Sequence, residues 1–174
     1  LLPGILKTCT LGYDGKGQHV INSMKDVKDD WCFSSSYILE KFIDLKQEIS
    51  VIITRYSDGG LSIFEPIENI HKEQILNTSV IPANINLKIC DEAKTIAKKI
   101  SEKLKYTGTM CVEFFIDKND NLYVNEIAPR VHNSGHLTIN AYNVSQFENH
   151  VRAVCQLEQI SLKKISNAKL VNII

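Results

Sequence analysis

Two glutamates lie inside apolar segments of the chain, where a charged side chain is costly to bury. Glu113 is flanked by apolar residues within 111–115, and Glu126 lies in the similar segment 123–127. Buried carboxylates are rarely tolerated unless they are paired or bound to a metal. Two carboxylates that converge from neighbouring strands would suit a hard divalent cation such as Mg²⁺. The alternative is a pair of salt-bridged glutamates on a solvent-exposed face.

The relative placement of the two glutamates depends on strand register. Two strand-like segments flank the turn-forming stretch 117–120, which predicts a hairpin. If residue 116 pairs with residue 121, Glu113 and Glu126 are diagonal neighbours on one face, roughly 6–8 Å apart at the backbone. A slip of one residue in register would break this geometry.

A segment rich in hydrogen-bond donors follows the strand that carries Glu126. An arginine offers a planar fork for bicarbonate, carboxylate or phosphate. A histidine can bind a substrate or transfer a proton near neutral pH. A lone histidine is usually structural, but this density of polar groups on a loop favours a site. The residues concerned are Arg130, His132, Asn133, Ser134 and His136.

Three glycines lie close together near the start of the chain, at Gly12, Gly15 and Gly17. They would allow backbone N–H groups to approach an anion. Lys16 within the loop and Lys7 on the preceding strand would add positive charge. The pattern differs from the phosphate-loop and dinucleotide fingerprints because no helix follows it directly. A phosphate-binding loop and an ordinary hairpin loop therefore both remain open.

Hairpins and a few helices would have to position these residues. Strands are predicted over 5–9, 19–21, 48–55, 61–64, 109–116 and 121–127, and helices over 91–105 and 146–154. In the second helix, the residues expected on one side are Phe147, His150, Val151 and Val154. Hairpins with few helices predict an α+β fold rather than a doubly wound parallel sheet.

Composition narrows the class of protein. The chain has 174 residues, 44% hydrophobic and 23% charged, with a formal net charge of zero, as expected for one globular domain or two small ones. Neutrality argues against a nucleic-acid partner, and no apolar run approaches the roughly 18 residues of a membrane span. Five scattered cysteines without a CxxC pair predict reduced, buried thiols in a cytoplasmic protein.

Both ends of the chain are apolar, and the first residue is not methionine. These features predict a piece of a longer enzyme, because complete domains more often end in polar residues. The alternative is that both ends are apolar edge strands.

In this order, the motifs resemble those of the ATP-grasp superfamily, and within it the ligases that carboxylate aminoimidazole ribonucleotide in purine biosynthesis. The resemblance rests on residues 7–8 with 12–18, on 68–71, on 145–148 and, most specifically, on 125–136, and it runs over essentially the whole chain. One departure from many ATP-grasp enzymes is Ala128, which stands where they carry an asparagine, as it does in this group of ligases.

The resemblance implies an ATP-grasp fold with a lid subdomain and a larger antiparallel-sheet subdomain. The partial lid would span residues 1–39 and the larger subdomain residues 40–160. Residues 161–174 would open a C-terminal part. The N-terminal α/β domain of the family would be missing from this chain.

The implied reaction is ATP-dependent carboxylation of aminoimidazole ribonucleotide with bicarbonate, through carboxyphosphate. The implied cofactors are ATP and Mg²⁺, and the implied assembly is a homodimer. Two other functions remain open: another ATP-grasp ligase that activates a carboxylate or forms carboxyphosphate, and an inactive nucleotide-binding fragment.

The resemblance also assigns roles residue by residue. Glu113 and Glu126 would hold Mg²⁺, and Arg130 and His132 would position bicarbonate and aminoimidazole ribonucleotide as catalytic residues. Asn133, Ser134 and His136 would complete the substrate site. The ATP-binding positions would be Lys7, Gly12, Tyr13, Asp14, Gly15, Lys16, Gly17, Gln18, Glu40, Lys41, Phe42, Ile43, Glu48, His71, Asn125 and Glu126.

Overall fold

A computed structural model of the chain describes residues 2–10, 16–28, 31 and 36–173. Strands dominate, and helices are few, so the predicted α+β class is confirmed. The chain forms two compact units. The first comprises Leu1–Asp44 with Glu73–Ile75, and the second comprises Leu45–Lys72 with Leu76–Ile174.

The first unit contains a three-stranded antiparallel sheet in the order β2-β1-β3. Its strands are β1 (Gly4–Thr8), β2 (Gln18–Ile21) and β3 (Tyr37–Lys41). The predicted pairing of the strands on either side of the glycine loop is confirmed. Gly12, Tyr13, Asp14 and Gly15 lie outside the described residues. Gly17 has φ +78, and a Cβ there would lie 2.5 Å from Thr8 Oγ1, so this position requires glycine.

The second unit contains a larger sheet in the order β10-β7-β6-β4-β8-β9, with β5 paired to β4. The long central strand β4 pairs antiparallel with β5, β6 and β8, and its β-branched residues suit a buried strand. The strands are β4 (Leu45–Arg55), β5 (Leu61–Ile63), β6 (Ile67–Lys72), β7 (Ile75–Ile81), β8 (Gly108–Asp117), β9 (Leu122–Ala128) and β10 (Ala168–Val171).

One face of this sheet packs against the helix α1 (Leu87–Leu104). The helix begins four residues before the expected start, because Asn86 caps it by accepting a hydrogen bond from Ile89 N at 2.9 Å. The core on this face is Ile49, Val51, Ile53, Ile89, Ala93, Ala97, Met110, Val112, Phe114 and Ile116. Because side chains alternate along strands, Glu48, Ser50, Cys111 and Glu113 point to the opposite face. The chemistry-bearing residues of β4 and β8 therefore share the face away from α1.

The remaining helices are the short α2 (Thr138–Ala141) and α3 (Gln146–Val154). The bounds of α3 match the prediction, but the predicted apolar side is wrong for Val151 and Val154, which are 52% and 48% exposed. Gln146, Asn149 and Ala153 are buried instead. A polar side chain can face inward when it forms hydrogen bonds there. Asn149 Oδ1 accepts one from the Tyr56 hydroxyl at 3.0 Å, whereas Asn149 Nδ2 has no partner among the described residues.

The cysteines only partly match expectation. Cys111 is buried, but Cys9 and Cys155 are exposed, so the prediction of buried thiols is wrong for these two. All four thiols in the described part of the chain are free, in line with the expected reduced state. Across the described residues, the helices are too short or too polar to cross a membrane.

Candidate active site

Glu113 and Glu126 face each other directly across the β8–β9 hairpin. The expected register is wrong: Ile116 pairs with Leu122 rather than with residue 121. The turn explains the shift, because the Asp117 carboxylate accepts hydrogen bonds from Asn121 N at 2.9 Å and from Asn121 Nδ2 at 3.0 Å. These contacts hold Asn121 in the turn and start β9 one residue later.

A β-bulge in β9 shifts the register a second time. Phe114 pairs with Val124, whereas the next residue back, Glu113, pairs with Glu126. Asn125 is therefore the extra residue, and two residues of the bulged strand oppose one on its partner. Glu113 interacts with both the Asn125 side chain and the Glu126 charge. In a regular strand, the neighbouring residues Asn125 and Glu126 would face opposite sides of the sheet. Because of the bulge, both lie near the carboxylate of Glu113.

The carboxyl group of Glu113 is poorly solvated, with its side chain only 15% exposed. Burial first, and the facing carboxylate of Glu126 second, raise the pKa of Glu113 to about 7. His71 opposes this shift through its positive charge. Two facing carboxylates of this kind would be stabilised by a cation.

The raised pKa of Glu113 predicts that stability depends on pH when no metal is bound. An acid whose pKa is higher in the folded protein than its ordinary 4.5 holds a proton on folding, so stability falls as pH rises towards 7. We expect Glu113→Gln to gain roughly 2–3 kcal/mol relative to the original chain between pH 5 and pH 8. Urea unfolding at several pH values with a chelator present measures this. A difference that stays constant with pH would contradict the raised pKa.

An ion pair lies beside the two glutamates on the same sheet face. His71 Nδ1 on β6 lies 2.6 Å from Glu48 Oε2 on β4. The hydrogen bond to Glu48 is the main cause that raises the pKa of His71, and the charges of Glu113 and Glu126 add to it. The structure thus brings four predicted site residues, Glu48, His71, Glu113 and Glu126, into one electrostatic group.

His132 joins this group from the loop after β9. Its Nε2 lies 3.2 Å from Glu113 Oε1, and its Nδ1 lies 2.9 Å from Ser134 Oγ. Burial, with the positive charge of Arg130 as the next cause, lowers the pKa of His132 to about 4. The ring is therefore neutral at pH 7, so its 3.2 Å contact with Glu113 is not an ion pair.

The backbone of His132 is held by the side chain of Gln146. Gln146 Nε2 donates to the His132 carbonyl at 2.6 Å, and Gln146 Oε1 accepts from His132 N at 3.0 Å. Gly135 leaves room for this contact, because a Cβ there would lie 2.5 Å from Gln146 Oε1. The sequence places Gln146 at the start of α3, and its fully buried side chain fixes the loop that carries the histidine.

The other predicted residues of this loop divide into exposed and buried ones. Arg130 and His136 are exposed, and the His136 ring lies 5.4 Å from the ring of Phe147. Asn133 is half-buried, and its Oδ1 has no hydrogen-bond partner among the described residues. Ser134 is fully buried, with its hydroxyl bonded to Ser50 Oγ at 2.8 Å as well as to His132. The Ser134 hydroxyl therefore bonds to other groups of the site and does not face solvent.

The first unit contains the remaining predicted ATP-binding residues. Lys7 Nζ on β1 lies 2.7 Å from Glu40 Oε2 on β3, so these two form an ion pair. Lys41 ends β3, and Phe42 and Ile43 follow it, with Phe42 41% exposed. Lys16 and Gly17 lead into β2, which begins at Gln18.

The donor set favours a hard cation over a soft one. The thiol of Cys111 and ligand atoms of Glu113 and His132 lie within 4.8 Å of one another. However, burial raises the pKa of the Cys111 thiol well above its ordinary value, and a protonated thiol is a poor ligand. The facing carboxylates of Glu113 and Glu126 offer the oxygen ligands that Mg²⁺ prefers.

Three polar residues of this site escaped prediction from the residue pattern: Ser50, Asn69 and Gln146. All three are buried. Ser50 interrupts the apolar run 49–53 within β4, and that interruption was the available signal.

Comparisons with known proteins agree with this geometry. Residues 1–147 match the model of the ATP-grasp domain family. N5-carboxyaminoimidazole ribonucleotide synthase of Brucella melitensis is 42% identical over 98% of this chain and 48% of its own length. The crystal structure of N5-carboxyaminoimidazole synthetase from Staphylococcus aureus complexed with ADP superposes with a TM-score of 0.91 at 41% identity, over 98% of this chain and 46% of that one.

A third similar structure is that of N5-carboxyaminoimidazole synthase from Aspergillus clavatus, in complex with ADP and 5-aminoimidazole ribonucleotide. Its TM-score is 0.87 at 29% identity, over 99% of this chain and 46% of that one. The chain thus spans about half the length of the relatives it matches.

Proposed function

The chain belongs to the ATP-grasp family, and from that premise we propose that it carries the ATP- and metal-binding part of an enzyme that carboxylates 5-aminoimidazole ribonucleotide in purine biosynthesis. The observation that carries the proposal is the facing pair Glu113 and Glu126, beside the Glu48–His71 pair and the His132 loop. The synthases named above support the choice of substrate.

Glu113 and Glu126 would hold Mg²⁺, because their facing carboxylates and the raised pKa of Glu113 leave a negative site that a cation would neutralise. When bound, Mg²⁺ would offset the negative charge of the ATP phosphates. Asn125, held beside Glu113 by the bulge, would donate to a phosphate oxygen.

The proposed contacts with ATP follow the resemblance to ATP-grasp ligases. Glu48 would accept hydrogen bonds from the ribose hydroxyls, and its partner His71 would hold the carboxylate in place. Lys7 and Glu40 form an ion pair in the structure. When the nucleotide binds, this ion pair would weaken and both side chains would contact the nucleotide. The backbone of Lys41, Phe42 and Ile43 would read adenine. The glycine loop, residues 12–18, would cover the phosphates and exclude water from a labile acyl phosphate.

The proposed reaction has two steps. A bicarbonate oxygen attacks the γ-phosphorus of ATP, and the bond to ADP breaks, which gives carboxyphosphate. The exocyclic amine then attacks the carboxyl carbon, the bond between that carbon and the bridging oxygen breaks, and inorganic phosphate leaves with that oxygen and takes the proton that the amine loses. Arg130 would hold bicarbonate or the substrate phosphate with two parallel donors. His132, Asn133 and His136 would complete the substrate contacts.

Isotope transfer tests the proposal. With ¹⁸O-labelled bicarbonate, we expect one labelled oxygen in the phosphate released by the protein expressed from its complete reading frame, with ADP formed only when aminoimidazole ribonucleotide is present. ADP formation that needs a different carboxylate would indicate another ATP-grasp ligase. Nucleotide binding without any turnover would indicate a non-catalytic module.

Arg130→Lys should separate carboxylation from ATP binding. A lysine keeps the positive charge but loses the fork, so we expect the rate of product formation to fall about tenfold, with ATP affinity unchanged within about twofold. Steady-state kinetics and calorimetry with Mg-ATP measure the two quantities. An equal fall in both would place Arg130 in the nucleotide site instead.

The domain scheme and the setting of the enzyme are part of the same proposal. Residues 1–39 would form the lid, 40–160 the large ATP-grasp subdomain, and 161–174 the start of a C-terminal part. The further domains would correspond to the half of each relative's length that this chain does not match. A homodimer in the cytoplasm, without a nucleic-acid or membrane partner, stays a prediction.

A further inference from the structure

A chain of buried hydrogen bonds crosses the sheet of the second unit and ends at His132. Ser79 Oγ donates to Asn69 Oδ1 at 2.9 Å, and Asn69 Nδ2 donates to Ser50 Oγ at 2.9 Å. Ser50 Oγ lies 2.8 Å from Ser134 Oγ, which lies 2.9 Å from His132 Nδ1. The four residues that lead to the histidine are all at most 6% exposed.

The direction of this chain follows from one backbone group. The N–H of Ser134 donates to His132 Nδ1 at 3.3 Å, so Nδ1 must present its lone pair and carries no proton. The Ser134 hydroxyl must therefore also donate to Nδ1, and it accepts from Ser50. Ser50 in turn accepts from an amide N–H of Asn69, which agrees with the orientation of that side chain.

We propose that this chain holds His132 in the tautomer that carries its proton on Nε2. Ser134, Ser50 and Asn69 are then positioning residues, which act through the ring without touching a substrate. Each group in the chain donates to the next, and a proton on Nδ1 would set that ring N–H against the backbone N–H of Ser134, which is costly in a buried site.

The tautomer decides what His132 does. Its Nε2 lies 3.2 Å from Glu113 Oε1, so in this tautomer the ring offers a proton donor at the site. It can hold a carboxyl or phosphate oxygen, but it cannot take the proton that the amine loses. The identity of that oxygen rests on the proposed function, whereas the tautomer does not.

The tautomer is tested directly by nuclear magnetic resonance of the chain labelled with ¹⁵N-histidine. Two-bond ¹⁵N–¹H correlations distinguish protonated from unprotonated ring nitrogens, and His132→Asn identifies the signals of His132. At pH 7 we expect an unprotonated Nδ1 and a protonated Nε2. A proton on Nδ1, or on both nitrogens, would overturn the proposal without any functional assay.

Two variants test whether the chain fixes the ring. Ser134→Ala removes the hydroxyl that donates to Nδ1, and Ser50→Ala removes the next one, which does not touch His132. In both, we expect the spectrum to show a second, Nδ1-protonated population. The matched control is Thr54→Val, because Thr54 on β4 and Thr109 on β8 form a buried hydroxyl–hydroxyl bond of 2.7 Å that lies outside the chain. Thr54→Val should keep the single tautomer.

Kinetics of the protein expressed from its complete reading frame give the second readout. We expect Ser134→Ala and Ser50→Ala to lower kcat about tenfold with KM for ATP unchanged, and Thr54→Val to leave both within about twofold. Equal losses in all three variants would show a structural role and overturn the proposal, as would unchanged tautomers in the two serine variants. If the original enzyme fails to carboxylate aminoimidazole ribonucleotide, the proposed function fails, and the spectra still decide the tautomer.

Discussion

Glu126→Gln is expected to weaken Mg-ATP binding about 100-fold and to leave the fold intact. The substitution preserves the shape of the side chain and removes one of the two facing charges. Glu113 alone would then compensate only half of the cation's charge. Calorimetry with ATP in the presence and absence of Mg²⁺ measures the effect, and binding without the metal should change little.

The same substitution has a second expected effect of opposite sign. Without metal, Glu126→Gln removes a charge that raises the pKa of Glu113, so the metal-free variant should melt at a higher temperature than the original chain. Glu102→Gln is the control, since Glu102 is exposed on α1 and pairs only loosely with Lys98 at 3.9 Å. If Mg²⁺ strengthens ATP binding equally in Glu126→Gln and the original chain, the two-glutamate metal site is wrong.

Gln146→Leu is expected to cost about 4 kcal/mol of folding free energy. Leucine fills a similar volume but leaves the N–H and the carbonyl of His132 without their partners at 3.0 and 2.6 Å. Each unsatisfied group costs about 1–3 kcal/mol. Urea unfolding followed by circular dichroism measures the loss.

Gln159→Leu is the matched control for this prediction. Gln159 is exposed, and its Nε2 also donates to a backbone carbonyl, that of Leu61 at 2.8 Å. Because water can replace that bond, we expect a loss below about 1 kcal/mol. Similar losses in the two variants would mean that the hydrogen bonds from Gln146 to the His132 backbone contribute no more to stability than the exposed bond of Gln159.

The residue pattern predicted several of the main elements. The apolar, β-branched run of β4, the apolar run of β8 and the helical spacing in α1 match the structure closely, whereas β3, β6 and β7 were not among the predicted strands. Such patterns show which residues are buried, and the spacing of buried residues differs between a helix and a strand. The α+β class followed from the hairpins alone.

Register was not predictable in the same way. The contacts of Asp117 in the turn and the bulge at Asn125 depend on local hydrogen bonds, which leave no periodic trace in the sequence. Glu113 and Glu126 nevertheless lie on one face as expected, because the two shifts go in the same direction and add up to two residues, which keeps the alternation of side chains.

Buried polar residues were the other source of error. Hydrophobic periodicity assumes that polar side chains face water, and this assumption put Val151 and Val154 on the apolar side of α3, whereas the buried residues are Gln146, Asn149 and Ala153. Ser50 and Asn69 were missed for the same reason, since a residue pattern does not show that a hydrogen-bond chain satisfies them. The resemblance to ATP-grasp ligases identified the donor-rich loop, but it could not show that the Ser134 hydroxyl points inward.

The bulge at Asn125 also bears on how such a site can evolve. Without Asn125, the ladder from Glu113 to Cys111 would pair regularly with the same partners, and Glu126 would still face Glu113. A single-codon insertion is therefore enough to place an amide beside an existing pair of acids, with no other strand displaced. The two acids, Glu113 and Glu126, and the neighbouring amide of Asn125 can therefore be gained or lost independently. Relatives that differ by one residue at this point of the hairpin would share the acids and differ in the amide.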